Sequence, residues 1–203
     1  WEVHHVFNEI AKGKKSVKDF DVYMKKKDSV YQKEDFFMNF TSNHDENSWN
    51  GTEYERMGDA VETFAALTYV MPGMPLIYNG QEYDMNKRLK FFEKDTVPHN
   101  KGKMFAIYEK LGKLKNENPA LNGGSKSASY ERIQTSDDNN ILAFKREKGG
   151  KKVYFLGNFS KSEKKFKLPL EGSFENYMQG GKVNLAKEQE ISLKPWGYWI
   201  LIN

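Results

Sequence analysis

The sequence predicts a chain of two parts, an α/β region with parallel strands over residues 1–121 followed by an all-β antiparallel sandwich over residues 122–203. Three observations carry this reading. Up to about residue 122, helical patterns alternate with two short apolar runs, the rhythm of a βα array. Those two runs are nearly continuous in apolar residues, as strands covered on both faces are. Beyond residue 122, short alternating segments are separated by Gly, Asn, Asp and Ser, which reads as antiparallel hairpins.

The elements follow in order. Val3, Val6, Phe7 and Ile10 recur at helical spacing, and Gly13 can end that helix. Ser16 with Asp19 resembles a capping box ahead of the stripe Val17, Phe20 and Met24. Residues 36–41 (FFMNFT) form the first apolar run. Met57, Ala60, Val61, Phe64, Ala65 and Thr68 mark a further helix, broken at Pro72-Gly73. Residues 75–78 form the second run, with Pro75 at the strand's first position. Met104, Ile107, Tyr108, Leu111 and Leu114 outline a helix that closes before Pro119. Segments 130–134, 141–146, 153–158, 164–168, 190–193 and 198–202 read as strands, with turns at 137–140 and Gly149-Gly150.

Two parallel strands cannot cover their own edges. The sheet is therefore expected to continue outside this chain or on a partner, such as a second copy. The chain begins at Trp1, inside a helical pattern, and reads as a piece of a longer protein. The strands after residue 122 are expected to bury a core of their own, leaving the first part as the less stable one.

Composition narrows the function classes. Hydrophobic residues make up 38% and charged residues 30%, with 14 Phe, 11 Tyr and 4 Trp that need burial. The net charge of +4 is spread along the chain without a basic stripe, which argues against nucleic-acid binding. There is no cysteine, so disulfides and thiolate metal sites are excluded. No apolar run approaches the roughly 20 residues of a membrane span.

The candidate chemistry sits in Asn43-His44-Asp45, directly after the first apolar run. In βα barrels, reactive groups gather where the strands end. A strand-end Asp is also a common cap or turn former. The context decides between these. Residues 37–45 (FMNFTSNHD) resemble the strand-seven motif of the α-amylase family of glycoside hydrolases. Residues 72–82 (PGMPLIYNGQE) resemble its strand-eight motif, and residues 105–121 (FAIYEKLGKLKNENPAL) its eighth helix. The resemblance covers essentially the whole chain.

The resemblance implies a partial (β/α)8 barrel, strands seven and eight with their helices, followed by the family's C-terminal β-sandwich. It implies action on α-linked glucans or maltooligosaccharides by a retaining mechanism. Asp45 would be the carboxylate that stabilises the transition state, and His44 would donate a hydrogen bond to the sugar at the cleavage site. The nucleophilic Asp and the acid/base Glu would lie upstream, and no Gly-x-Arg-x-Asp pattern is present here. The chain alone is therefore expected to be inactive, completed by the missing N-terminal part of the barrel. The family's calcium sites lie mainly in that missing part, so no metal and no cofactor is expected. The resemblance fits a secreted, periplasmic or surface setting without selecting one.

Other residues keep two readings. Asn43 either positions Asp45 or forms a turn. Trp49 either stacks on a sugar face or packs under its own loop. Glu82 reads as a structural hydrogen-bonding residue, and Tyr78 and Gly80 as architectural. A loop histidine capping a carbonyl is the plain alternative for His44. His4 and His5 would point about 100° apart on a helix, a poor metal pair, and His99 has no evident partner. Trp196 and Trp199 read as core and edge of the last strand rather than as a glucan surface. Two other classes compete with the hydrolase: a non-catalytic carbohydrate-binding or structural module, and a transporter-subunit relative. The Asn43-His44-Asp45 trio favours the hydrolase.

Overall fold

A computed structural model describes residues 1–32 and 34–203. Helices α1 (Glu2–Ala11) and α2 (Val17–Val30) open the chain. The expected stripe of α1 is buried, and Gly13 follows the helix with φ +74°. The capping box of α2 is present, with the Ser16 N–H donating to the Asp19 carboxylate at 2.9 Å. Strand β1 (Met38–Asn39) pairs in parallel with β2 (Met74–Pro75). Parallel partners need a long crossover. Here it runs through α3 (Glu53–Met57), a 3₁₀ turn (Gly58–Ala60) and α4 (Val61–Val70). The single helix expected over this stretch is split at Gly58, whose φ of +55° lies outside the helical region. Helix α5 (Lys103–Glu117) buries Met104, Ile107, Tyr108, Leu111 and Leu114, as its spacing predicts.

The two parallel strands are shorter and barer than the apolar runs imply. Met38 and Met74 are 47% and 43% exposed, and Phe36 and Ile77 are open as well, whereas Asn39, Phe40 and Thr41 are buried. One face packs on the helices, and among the described residues nothing covers the other. Pairing is limited to the stretch where Met74 N–H reaches Phe37 O at 2.7 Å and Leu76 N–H reaches Asn39 O at 2.8 Å. Gly73 permits that approach. At its φ of +124° a Cβ would lie 2.5 Å from Phe37 O.

The second part contains eight strands: β3 (Ser129–Ile133), β4 (Ile141–Lys148), β5 (Lys151–Asn158), β6 (Lys164–Phe166), β7 (Gly172–Asn176), β8 (Lys182–Leu185), β9 (Ile191–Leu193) and β10 (Tyr198–Ile202). Six of them form an antiparallel sheet in the order β3-β4-β5-β10-β7-β8, and β6 pairs with β9. Gly149 and Gly150, at φ +59° and +77°, make the tight turn between β4 and β5. Strands β7 and β8 were not expected from the sequence. Their residues are mostly polar, and only Phe174 and Asn176 alternate inward in β7.

The sheet uses both of its faces. Ile141, Ala143, Leu156 and Leu201 pack with Phe166, Leu168, Ile191 and Leu193 of the small sheet's side. Leu142, Phe144, Phe155 and Ile200 join the helices in the main core. The C-terminal part thus buries one face by itself and the other on the helical part, so the core runs across residue 122. Arg146 reinforces this junction. It is fully buried and donates to Val70 O, Asn122 O and Ser129 O at 3.0, 3.0 and 2.7 Å. Burial brings its pKa down to about 10. Among the described residues, no helix is long and apolar enough to cross a membrane.

Phe64 sits at the seam, fully buried, with its ring 4.9 Å from that of Phe7 and 5.1 Å from that of Phe159. Phe64→Ala is predicted to cost about 3–5 kcal/mol, with helix signal and Trp196 fluorescence shifting together in one denaturation transition. A helix transition that moves while the sheet's stays in place would contradict the shared core.

Candidate functional site

The chain leaves β1 through Thr41 and Ser42 and turns sharply at Asn43. The Asn43 side-chain oxygen accepts the Glu46 N–H at 2.9 Å, and its carbonyl accepts the Asn47 N–H at 2.9 Å. These bonds start a helical turn at His44. The turn widens into a π-helix over Glu46–Asn50, a form often found at functional sites. Gly51 ends it with φ +106°. Thr52 then caps α3 in a capping box with Glu55.

His44 and Asp45 face outward from this turn, with side chains 69% and 42% exposed and 3.6 Å between Nε2 and Oδ1. Asp45 has no Lys or Arg partner among the described residues. Trp49 is 58% exposed and so does not pack under its own loop. Asn43, buried, holds the turn through the bonds just described.

The loop rests on a polar scaffold. Arg56 of α3 donates to Thr41 O at 2.8 Å and to Gly51 O at 3.0 Å, tying together the two ends of the loop. It also donates to the Asn8 side-chain oxygen at 2.8 Å. His4 is buried on α1, with Nε2 3.0 Å from Glu46 Oε2 and Nδ1 3.3 Å from Phe40 O. Burial, joined by the charge of Arg56, holds the His4 pKa below its ordinary value, with Glu46 pulling the other way. For Glu46, burial pushes the pKa upward, but the bonds from His4 and Asn50 and the charge of Arg56 bring it below the usual value.

A second cluster joins the two strand ends. After β2, Gly80 adopts φ +93°, where a Cβ would strike Met85 Sδ at 2.7 Å, and the chain enters a short 3₁₀ turn, Gln81–Tyr83. Gln81 is buried and donates to Thr41 Oγ1 at 2.8 Å and to Glu53 Oε2 at 2.6 Å. Thr41 Oγ1 donates to the same Glu53 oxygen at 2.8 Å. The other oxygen of Glu53 has no hydrogen-bond partner among the described residues. Burial pushes this carboxyl up to about 7, against the pull of Thr41, Gln81 and Arg56.

Sequence reasoning missed Glu53, Arg56, Gln81 and His4 as supports. Gln81 lies inside the recognised 72–82 segment, which was the one available signal. Glu82 accepts the Gly80 N–H at 3.1 Å, a local structural bond. His99 stacks on Tyr83 with ring centroids 5.0 Å apart. Trp196 is buried in the main core, and Trp199 packs partly buried on the other face of the sheet. No group of three or more His, Cys, Asp or Glu is arranged to hold a metal ion among the described residues.

Neither a family model nor a curated protein matches this sequence. Solved structures do. A noncanonic maltogenic α-amylase, AmyB from Thermotoga neapolitana, superposes with a TM-score of 0.83 at 17% identity, over 98% of this chain and 48% of that one. An α-amylase from Lactobacillus plantarum gives 0.80 at 19% identity, over 100% and 46%. Over nearly its whole length, the chain shares the fold of about half of each of these α-amylases. The cyclomaltodextrin glucanotransferase CldA gives 0.77 at 16% identity, over 98% of this chain and 43% of that one. The chain therefore spans less than half of each of these structures.

Glu53 supplies a pH test. The folded state raises its pKa from 4.5 to about 7, so folding favours the protonated form. Its contribution to stability is lost as pH rises from about 4.5 to about 7 and is constant above. Glu53→Gln removes this loss. The melting temperature of the variant relative to the wild type is predicted to climb across that window and then level off. A flat difference would contradict the assignment.

Proposed function

We propose that this chain is part of a retaining α-glycoside hydrolase acting on α-linked glucans or maltooligosaccharides, and that Asp45 stabilises the transition state. In this reading residues 1–121 are the end of a (β/α)8 barrel, with β1 and β2 as its seventh and eighth strands. The remainder of the barrel covers their bare face.

One observation carries the proposal: a half-exposed carboxylate with no Lys or Arg partner among the described residues stands just beyond a parallel strand, in a chain of α-amylase-type fold. An oxocarbenium-like transition state develops positive charge on the sugar. A carboxylate not already neutralised by Lys or Arg is free to stabilise that charge. His44 adds a hydrogen-bonding group beside it, Asn43 holds the turn, and Trp49 offers an apolar ring to a sugar face. Structures of similar fold have been solved with maltose and with maltotriose bound, which supports an α-glucan as ligand.

The same geometry argues that this chain does not complete the chemistry. A retaining enzyme needs a nucleophile and an acid/base about 5 Å apart. Of the nearby carboxylates, Glu46 is engaged by His4 and Glu53 is buried on Thr41 and Gln81. Both missing groups belong to the upstream part of the barrel.

The test uses the full-length protein that contains this chain. Asp45→Asn keeps the side chain's size and removes its charge. It is predicted to lower kcat by about 10²-fold or more, in line with ~2.7–4 kcal/mol per strong electrostatic contact, with an unchanged melting temperature. The 203-residue chain by itself should release no reducing sugar from starch. A wild-type kcat in Asp45→Asn would refute the role of Asp45.

A further inference from the structure

Beside the outward-facing turn lies a second exposed feature, on the segment that follows the 3₁₀ turn after β2. Phe91 and Phe92 are 39% and 83% exposed, and Trp49 stands next to them. The ring centroids of Phe91 and Phe92 are 4.8 Å apart, those of Trp49 and Phe91 5.2 Å, and those of His44 and Phe91 6.0 Å. Single exposed aromatic residues are ordinary on a protein surface, but contiguous groups mark interaction sites.

The cluster is built rather than incidental. Asn47 of the π-helix donates to Lys87 O at 3.1 Å and accepts the Leu89 N–H at 2.7 Å, and Ser48 donates to Leu89 O at 2.7 Å. Leu89 is buried beneath. Asp95 accepts the Lys90 and Thr96 N–H groups at 3.0 and 2.7 Å, closing the turn that carries the two phenylalanines. The turn bearing His44 and Asp45 and the segment bearing Phe91 and Phe92 are therefore one hydrogen-bonded unit.

Charge identifies the ligand class. The segment is rich in basic residues, yet Lys87 pairs with Asp95, Arg88 with Glu55 and Lys90 with Glu93. Those three charges are answered locally, which leaves Lys94 as the segment's one basic side chain without an ion pair among the described residues, too little charge to recruit a polyanion. Beside it, open to solvent, is a set of neutral aromatic rings bordered by His44 and Asp45. A neutral polyhydroxylated ring fits both features, with its C–H face on the aromatic rings and its hydroxyls toward the polar pair.

We propose that Trp49, Phe91 and Phe92 form a stacking platform for pyranose rings of an α-linked glucan, extending the site of His44 and Asp45 along the segment 86–95. The inference rests on the glucan-binding reading of the preceding subsection and adds residues that the recognised motifs did not contain.

The test is an NMR titration of the ¹⁵N-labelled chain with maltoheptaose, following the indole N–H of Trp49, assigned from its loss in Trp49→Phe. A saturable shift of Trp49 with an unmoved Trp196 is expected. Phe92 is so exposed that its replacement spares the fold. Phe92→Ala should weaken binding about 3- to 10-fold, while Phe92→Tyr should stay within about twofold. The platform is overturned if Trp49 does not respond, or if Phe92→Ala binds as the wild type does. It is also overturned if Trp49 shifts on concentrating the chain without sugar, or if single-stranded DNA displaces maltoheptaose. The two readings fail separately. Unchanged binding in Phe92→Ala with lost turnover in Asp45→Asn removes the platform alone. A responding Trp49 with wild-type turnover in Asp45→Asn removes the catalytic role of Asp45 and leaves the platform.

Discussion

Arg56 joins what the chain otherwise separates. The loop from Ser42 to Asn50 leaves one strand and enters one helix, and the bonds within its turns set its shape but not its place on the rest of the chain. By donating to Thr41 O and Gly51 O, a single planar guanidinium fixes the loop's entry and exit relative to each other. Asn8 holds the guanidinium from the side of α1, and His4 of the same helix braces the loop through Glu46. The outward direction of His44 and Asp45 follows from this clamp. The segment carrying Phe91 and Phe92 depends on it too, since that segment hangs on Asn47 and Ser48 within the clamped loop.

Beneath the loop, the structure accepts costs. Among the described residues, one oxygen of the buried Glu53 carboxyl and the buried Ser42 hydroxyl have no hydrogen-bond partner. Unsatisfied buried polar atoms are destabilising, so the remaining core must compensate. It does so by continuity, because the helices and one face of the large sheet share a cluster, with Phe64 and Arg146 at the seam. The cost is also local to the join between the two strand ends, where Thr41, Glu53 and Gln81 set the spacing of β1 and β2. The opposite face of those strands, with Met38 and Met74 bare, is the surface expected to meet further elements of a barrel.

Much of the fold was legible in the sequence because its signals are local. The α1 stripe, the Ser16–Asp19 box, the α5 spacing and the Gly149-Gly150 turn each depend on residues a few positions apart. The extent of β1 was not legible. An apolar run reports hydrophobicity, while pairing depends on how closely Gly73 lets a distant segment approach. Strands β7 and β8 were missed because one inward Phe174 is too weak an alternation to read. At the site, Asn43, His44 and Asp45 came from a recognised motif, and Trp49 was a candidate only as an aromatic in the loop that follows it. Arg56 and Glu53 were invisible because a charged residue early in a helix looks the same whether it faces water or a carbonyl fifteen residues away. Phe91 and Phe92 were hidden within a run of Lys, Arg and Glu that reads as a solvated loop.

The site hangs on the Arg56 clamp, and hydrogen exchange tests this directly. Arg56→Gln removes the charge and the bonds to both ends of the loop. Charge-assisted bonds of this kind are worth about 1.5–3 kcal/mol each. The amides of Glu46, Asn47 and Leu89 should then exchange roughly 10- to 100-fold faster, while those of β5 keep their protection. Unchanged protection at Glu46, Asn47 and Leu89 in a folded Arg56→Gln variant would contradict the claim that Arg56 holds the site in place.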